Sequence, residues 1–163
     1  MKACTNFRLI KRYQKKRMAL KKGSKAPDFV LESTTGEKFR LSKNLPCVIY
    51  FYPKDFTLGC TEEACSFRDG FAELRDLDVN VFGISRDSIE SHKKFQKEHN
   101  LPFDLLTDKS GAVCKQYDAL VPLVKVPKRV TYLIDENQII RTAYADMFGA
   151  KRHMQQMISE LKS

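Results

Sequence analysis

The most constraining feature of the sequence is a run of six apolar, β-prone residues, CVIYFY, at Cys47–Tyr52. A strand with one solvated face alternates apolar and polar residues, so an unbroken run predicts a strand that is buried on both faces. Pro53 follows the run and ends the strand. With 163 residues, the chain has room for one domain with a substantial core.

Strands and helices alternate along the rest of the chain. Upstream of the apolar run, Phe29–Leu31 and Phe39–Leu41 predict a β-hairpin around a turn at Thr34–Glu37. Downstream, the apolar periodicity predicts, in order, a helix over 60–77, a strand at Val79–Ile84, a helix at Ser88–His99 capped by Ser88, a strand at Phe103–Leu106, a helix at Ser110–Tyr117, strands at Arg129–Ile134 and Gln138–Ala143, and a helix at about Ala150–Leu161. This order predicts an α/β sandwich with a partly parallel central sheet that is closed by an antiparallel pair.

The net charge of +9 is concentrated at the N-terminus. Residues 1–22 contain nine basic residues and no acidic one, which leaves 20 basic and 20 acidic residues in 23–163. The charge pattern therefore divides the chain into a basic arm, residues 1–22, and a formally neutral domain, residues 23–163. We expect the arm to be a disordered, solvated tail. Weak contact with nucleic acid or an anionic surface, a short amphipathic helix, and a translation start at Met18 are the alternatives.

The arm lacks the apolar core of about 7–15 residues that marks a secretory signal. No run in the chain approaches the roughly 20 apolar residues that span a bilayer. The five cysteines, an odd number, argue against a secreted disulfide framework. We therefore expect a cytoplasmic protein.

Cys60 is the cysteine whose position most favours chemistry. It lies between the buried strand and the next predicted helix, where free backbone N–H groups and the helix dipole favour a thiolate. Cys65 lies about 140° round that helix and roughly 7.5 Å along its axis. A bond between the two requires the first turns to unwind, because disulfide-linked Cα atoms lie within about 7 Å. From position alone, Cys60 could equally be a small buried side chain, and Cys65 an unpaired thiol or a resolving cysteine.

The other candidate ligands do not have the spacing of a metal site. His92 and His99 are seven residues apart, whereas a helical metal site uses a spacing of about four, and the Cys60–Cys65 spacing does not match zinc. We expect no metal and no cofactor. His92, His99 and His153 are expected to be satisfied or surface residues, Cys47 and Cys114 to lie in the core, and Cys4 to be an exposed thiol of the arm.

The residues around Cys60 resemble a known family. Pro53-x3-Thr57-x2-Cys60 matches the PxxxTxxC motif of the peroxiredoxins, and the string YFYPKDFTLGCTEEACSFRD is similar to the bacterioferritin comigratory protein, or peroxiredoxin Q, branch. Other similar segments run from about residue 23 to the C-terminus: APDF at 26–29, GISRDS at 83–88, SHKKF at 91–95, HNLPFDLLTD at 99–108 and RVTYLID at 129–135. Leu58 departs from the proline found in many relatives.

The resemblance implies a thioredoxin-like fold with a central mixed sheet, flanking helices and an N-terminal β-hairpin. It implies a monomeric peroxidase that reduces hydrogen peroxide and alkyl hydroperoxides and is recycled by thioredoxin or a similar dithiol donor. Cys60 would be the peroxidatic cysteine, which forms a sulfenic acid, and Cys65 would resolve it as an intramolecular disulfide. Thr57 would orient the peroxide, Arg129 would stabilise negative charge, and Pro53 would shape the pocket.

Simpler interpretations stand beside these roles. Thr57 could be only a helix cap, and Arg129 only a surface residue of a strand. Glu62 and Glu63, in the first turn of the helix, oppose thiolate formation, so Arg129 would have to outweigh them. A thiol–disulfide oxidoreductase on the same fold is the alternative enzyme, although the CxxC motif of such proteins is missing.

Overall fold

The computed structural model describes residues 19–163. Residues 1–18, which include Cys4 and most of the basic arm, lie outside the described residues. Ala19 and Leu20 pack against the core, and the backbone N–H of Leu20 donates to the hydroxyl of Tyr132 at 2.9 Å.

Seven strands form one mixed sheet: β1 (Val30–Ser33), β2 (Lys38–Arg40), β3 (Cys47–Phe51), β4 (Asn80–Ser85), β5 (Asp104–Thr107), β6 (Val130–Ile134) and β7 (Ile140–Ala145). Their order across the sheet is β2-β1-β5-β4-β3-β6-β7. β3, β4 and β5 are parallel, β6 and β7 add an antiparallel pair beside β3, and the β1–β2 hairpin joins the free edge of β5. The predicted mixed sheet with an N-terminal hairpin is confirmed.

In the described part of the chain, five α-helices flank the sheet: α1 (Leu58–Asp69), α2 (Phe71–Asp76), α3 (Ile89–Glu98), α4 (Ala112–Gln116) and α5 (Ala150–Lys162). A 3-10 turn, Leu41–Lys43, follows β2. None of the helices in residues 19–163 is long and apolar enough to cross a membrane.

Alternate side chains of β3 enter two separate cores, as the unbroken apolar run predicted. Cys47, Ile49 and Phe51 pack with the hairpin and α4. Val48 and Tyr50 face the opposite side, where α1, α2, α3 and α5 cover the sheet. All five residues of the strand are buried. The loop that follows the C-terminal end of β3 therefore begins between the two cores.

The prediction of one helix over 60–77 is wrong, because the helix breaks at Gly70 into α1 and α2. A Cβ atom at Gly70 would lie 1.4 Å from Cε of Met154 in α5. The absence of a side chain at Gly70 thus allows α5 to pack against the break. The other predicted elements are confirmed within two residues at each end, and Ser88 caps α3 by accepting from the N–H of Ser91 at 3.2 Å.

Candidate active site around Cys60

Cys60 is the third residue of α1 and is 1 % exposed. The first N–H groups of a helix have no partner inside the helix, so the sulfur of Cys60 lies near unpaired donors and the positive end of the helix dipole. Thr57 occupies the N-cap position with an extended backbone, and its carbonyl accepts the first helical bond, from the N–H of Thr61. The strand-to-helix placement of Cys60 agrees with the prediction.

Arg129 is the charged residue that contacts Cys60. It precedes β6, the neighbour of β3, and the pairing of Phe51 with Val130 places Arg129 beside the end of β3. Its Nη2 donates to the sulfur of Cys60 at 3.4 Å. Its backbone N–H and its Nε donate to the sulfur and the carbonyl oxygen of Met147, at 3.1 and 3.2 Å. Arg129 is 5 % exposed, so the interpretation of a surface strand residue is wrong.

Glu63 shares Arg129 with Cys60. Its carboxyl group contacts Nη1 of Arg129 inside the buried site. Burial raises the pKa of Glu63 to about 8, and the charge of Arg129 only partly offsets this effect. Glu62, by contrast, is exposed on α1. Because the helix begins at Leu58, the expectation that Glu62 and Glu63 lie in its first turn is wrong, and of the two only Glu63 lies within the buried site.

His153 of α5 closes the far side of this site. Its Nε2 donates to the carbonyl oxygen of Asp146 at 2.9 Å, which leaves Nδ1 to accept from the hydroxyl of Thr131 at 2.8 Å. Oε1 of Glu63 has no hydrogen-bond partner and lies 3.5 Å from that same Nδ1. Burial lowers the pKa of His153 to about 4, so the ring is neutral near pH 7.

Two residues of this site, Met147 and His153, were not predicted from the sequence to belong to it. No pattern in the sequence around Met147 indicates its contact with Arg129, because the fold brings the two residues together. His153 is predicted to be a satisfied or surface residue, and its buried polar partners, Thr131 and Asp146, come from two other segments. The structure brings Cys60, Arg129, Glu63 and His153 together on one side of α1.

Thr57 and Pro53 belong to the loop that leads into α1. The hydroxyl of Thr57 donates to the carbonyl oxygen of Lys54 at 3.0 Å and makes no bond to the N–H groups of the helix. Its side chain is exposed, whereas Pro53 is half-buried. The hydroxyl of Thr57 is therefore not used as a helix cap and remains accessible beside the start of α1.

Cys65 lies on a different face of α1 from Cys60. It is half-buried and lines an open groove of about 440 Å³ between α1 and α5, whose other lining residues include Leu58, Lys151 and Gln155. The four cysteines among residues 19–163 are all free thiols. Cys65 can be reached from this groove, while Cys60 faces the protein interior.

The remaining described cysteines lie in the core, as predicted. Cys47 and Cys114 are both fully buried. Burial raises the pKa of each thiol far above its ordinary value. Both thiols therefore stay protonated near neutral pH and are poor nucleophiles.

Within residues 19–163, one set of side chains has the spacing of metal ligands: Asp55, Asp87 and His92. All three are engaged in hydrogen bonds with protein groups. His92 is fully buried and satisfied by its partners, and His99 is half-exposed.

Comparison with known proteins gives consistent matches. The AhpC/TSA family model matches residues 22–143. A putative peroxiredoxin bcp of Coxiella burnetii is 43 % identical over 135 residues, which cover 78 % of this chain and 89 % of the relative. The crystal structure of peroxidoxin BcpB from Mycobacterium tuberculosis has a TM-score of 0.83 and 33 % identity, covering 88 % of this chain and 97 % of that chain. The bacterioferritin comigratory protein of Xanthomonas campestris, described by its alkyl peroxide reduction activity, has a TM-score of 0.74 and 28 % identity, covering 82 % and 90 %.

Proposed function

The chain belongs to the AhpC/TSA family and is a thiol-dependent peroxidase of the peroxiredoxin kind, and we propose that Cys60 is the thiol that attacks the peroxide. The observation that carries this assignment is the contact between Nη2 of Arg129 and the sulfur of Cys60 in a buried site. A guanidinium held in this way favours the thiolate, which is the reactive form of cysteine. Cys47 and Cys114 lack this advantage because burial keeps them protonated.

The first step is a displacement at oxygen. The thiolate of Cys60 attacks one peroxide oxygen, the O–O bond breaks, and its electron pair leaves with the second oxygen. That oxygen takes up a proton and departs as water or an alcohol, while the cysteine becomes a sulfenic acid. The charge of Arg129 stabilises the leaving oxygen, and the accessible hydroxyl of Thr57 orients the peroxide. Pro53, in the same loop, shapes the entrance.

The second step uses Cys65 as the resolving cysteine. Its thiolate attacks the sulfur of the Cys60 sulfenic acid, the S–O bond breaks, and the oxygen leaves as water after protonation. The product is an intramolecular disulfide between the two residues. Because both lie within α1, the first turns of that helix must unwind before the bond forms.

The third step returns two electrons from a dithiol donor, for which we propose thioredoxin or a similar protein. Hydrogen peroxide and alkyl hydroperoxides are the proposed substrates, and the protein is proposed to act as a monomer. The alkyl peroxide reduction activity ascribed to the Xanthomonas campestris protein supports the organic substrates.

Mass spectrometry after treatment with peroxide tests this assignment. The reduced protein is treated with one equivalent of hydrogen peroxide, and intact and peptide masses are measured. We expect the loss of two hydrogens, mapped to a peptide pair that contains Cys60 and Cys65. The Cys65→Ser variant should stop at a sulfenic acid on Cys60, while Cys47→Ser serves as the matched control and should form the same disulfide as the wild type.

Other outcomes have distinct meanings. A link from Cys60 to Cys114 or to another chain would keep the peroxidatic role of Cys60 and reassign the resolving one. The absence of any reaction at Cys60 would overturn the proposed mechanism.

A further inference from the structure

The loop between β3 and α1 contains a buried carboxylate that the proposed reaction does not use. Asp55 lies between Pro53 and Thr57 and is only 3 % exposed. Burying an ionised carboxylate is costly unless several donors replace its lost water. The hydrogen-bond partners of Asp55 therefore show which elements fix the position of this loop.

Asp55 accepts hydrogen bonds at both oxygens. The hydroxyl of Tyr52 donates to Oδ1 at 2.6 Å, and the hydroxyl of Ser91 donates to Oδ2 at 2.8 Å. Nδ1 of His92 lies 2.8 Å from Oδ2. The backbone N–H of Asp55 donates in turn to Asp87 at 2.9 Å. The carboxylate thus joins the loop to the first turn of α3.

His92 connects this carboxylate to the sheet. Its ring is completely buried, and Nε2 lies 3.2 Å from the carbonyl oxygen of Leu106 in β5. Both ring nitrogens of His92 thus face oxygen atoms that accept hydrogen bonds, Oδ2 of Asp55 and the carbonyl oxygen of Leu106. The ring is held between the loop and the central sheet in one orientation.

The next residue, Phe56, adopts a left-handed backbone with φ of +62°, which is uncommon for a residue with a side chain. Such a conformation persists only where the surroundings enforce it. The ring of Phe56 packs edge-on against Phe95 of α3, with centroids 5.2 Å apart. Asp55 and Phe56 immediately precede Thr57, and their contacts with α3 hold this bend in place.

We propose that Asp55 and His92 are positioning residues for the peroxidase site. The pair holds the bend that sets where Thr57 and the start of α1 lie relative to Arg129. Neither residue is in contact with Cys60, so the pair acts through the loop rather than on the sulfur. This inference rests on the proposed function of Cys60.

Loss of the Asp55–His92 contact is expected to affect the two reactions of Cys60, with peroxide and with an alkylating agent, to different extents. Reaction with peroxide requires the oxygen to be aligned between the hydroxyl of Thr57, the sulfur and the guanidinium, and small misplacements in such arrangements cost up to about 100-fold in rate. Alkylation of Cys60 by iodoacetamide requires the thiolate and the guanidinium but not the orientation by Thr57. Loss of the pair should therefore slow the peroxide reaction much more than the alkylation.

Two rates measured on the same variants test the proposal: single-turnover oxidation of Cys60 by hydrogen peroxide and its alkylation by iodoacetamide. We expect Asp55→Asn and His92→Leu to slow oxidation by about 10- to 100-fold and alkylation by less than about threefold. His92→Asn keeps a donor at the Nδ1 position and should stay within about threefold of wild type in both rates. Lys93→Leu, on the exposed side of α3, is the matched control and should leave both rates unchanged.

Equal losses in the two rates, or unchanged oxidation in Asp55→Asn, would overturn the proposal. If the wild type itself does not oxidise at Cys60, the proposed function fails instead, so the two failures are distinguishable. Should His92→Leu not fold, nitrogen NMR of the reduced wild type remains decisive. We expect a proton on Nδ1 of His92, and a ring protonated only at Nε2 would overturn the contact with Asp55.

Discussion

At the scale of single residues, the site depends on how one buried guanidinium is divided between two neighbours. Arg129 donates to Cys60 through Nη2 and to Glu63 through Nη1. An ionised Glu63 neutralises part of the charge that would otherwise stabilise the thiolate. Because burial raises the pKa of Glu63 to about 8, a proton on this carboxyl at neutral pH leaves more of the charge of Arg129 to Cys60.

Stability as a function of pH tests the protonation of Glu63. A carboxyl whose pKa is raised on folding contributes stability that is complete below its unfolded pKa, near 4.5, and is lost as pH rises through about 8. Glu63→Gln mimics the protonated form and has no such dependence. We expect the free energy of unfolding of this variant to gain about 1–2 kcal/mol relative to wild type between pH 6 and pH 8, measured by urea denaturation under reducing conditions. Glu62→Gln, at the exposed neighbour, is the control, and a constant difference for Glu63→Gln would contradict the shifted pKa.

The role of Thr57 can be separated from helix capping by two substitutions. Its hydroxyl makes no bond to the N–H groups of α1, so Thr57→Val should leave the urea midpoint nearly unchanged. We expect the same variant to lose about 100-fold in the rate of Cys60 oxidation, because the oriented hydroxyl is gone. Thr57→Ser keeps the hydroxyl and should stay within a few-fold of wild type. A destabilised Thr57→Val with a normal rate would restore the capping interpretation.

At the scale of elements, α1 combines a weakly capped N-terminus with an anchored C-terminal end. Its N-cap residue makes no side-chain cap bond, and its first turn contains no acidic residue to complement the dipole. Beyond Cys65, Phe67 is fully buried and stacks on Tyr50 with centroids 4.7 Å apart. Unwinding that begins at Thr57 can therefore pass Cys60 and Cys65 while the end of the helix, from Phe67 onward, stays docked.

Hydrogen exchange should detect this unwinding. We expect amides of residues 58–66 to lose protection when wild type is oxidised by one equivalent of peroxide, because a disulfide between Cys60 and Cys65 is incompatible with an intact helix. Oxidised Cys65→Ser, which cannot form this bond, should keep its protection, and α3 serves as an internal reference. A verified Cys60–Cys65 disulfide with full protection over 58–66 would refute the geometric argument.

At the scale of the whole molecule, the central strand sets up the site by being buried on both faces. β3 places the loop at its end against α3 on one side and β6 on the other, and these two elements supply His92 and the segment of Arg129. The core that supports Cys60 also contains Phe67 and Met157, from α1 and α5. Among the described residues 19–163, those that form the site all lie within 23–163.

Removal of residues 1–17 tests the proposed division between arm and domain. The shortened chain keeps Ala19 and Leu20, which pack on the core. We expect its Cys60 oxidation rate to stay within about twofold of the full chain, and any salt-dependent binding to single-stranded DNA to be lost with the seven basic residues of that segment. A tenfold slower oxidation would assign the arm a part in the site, and DNA binding that survives the deletion would place the basic contact on the domain.

Local patterns were sufficient for most of the architecture. Apolar periodicity, turn residues and one capping serine predicted the strand and helix order, because these signals depend on residues close together in the chain. The break at Gly70 was not predicted, and the close packing of Met154 from α5 against this glycine is a contact that only the fold creates. Nothing within 60–77 specifies which distant helix packs there.

For the site, the residues of the chain were enough to name the chemical candidates: Cys60 from its position at a helix start, and Thr57, Arg129 and Cys65 from the resemblance to the peroxiredoxins. Their electrostatic surroundings became visible in the folded protein alone. Glu63 and Arg129 are 66 residues apart and His92 and Asp55 are 37 residues apart, yet each pair is in contact. Such contacts depend on strand order and helix packing, which are set by the whole core, and desolvation in that core is what shifts the pKa of Glu63 and of His153.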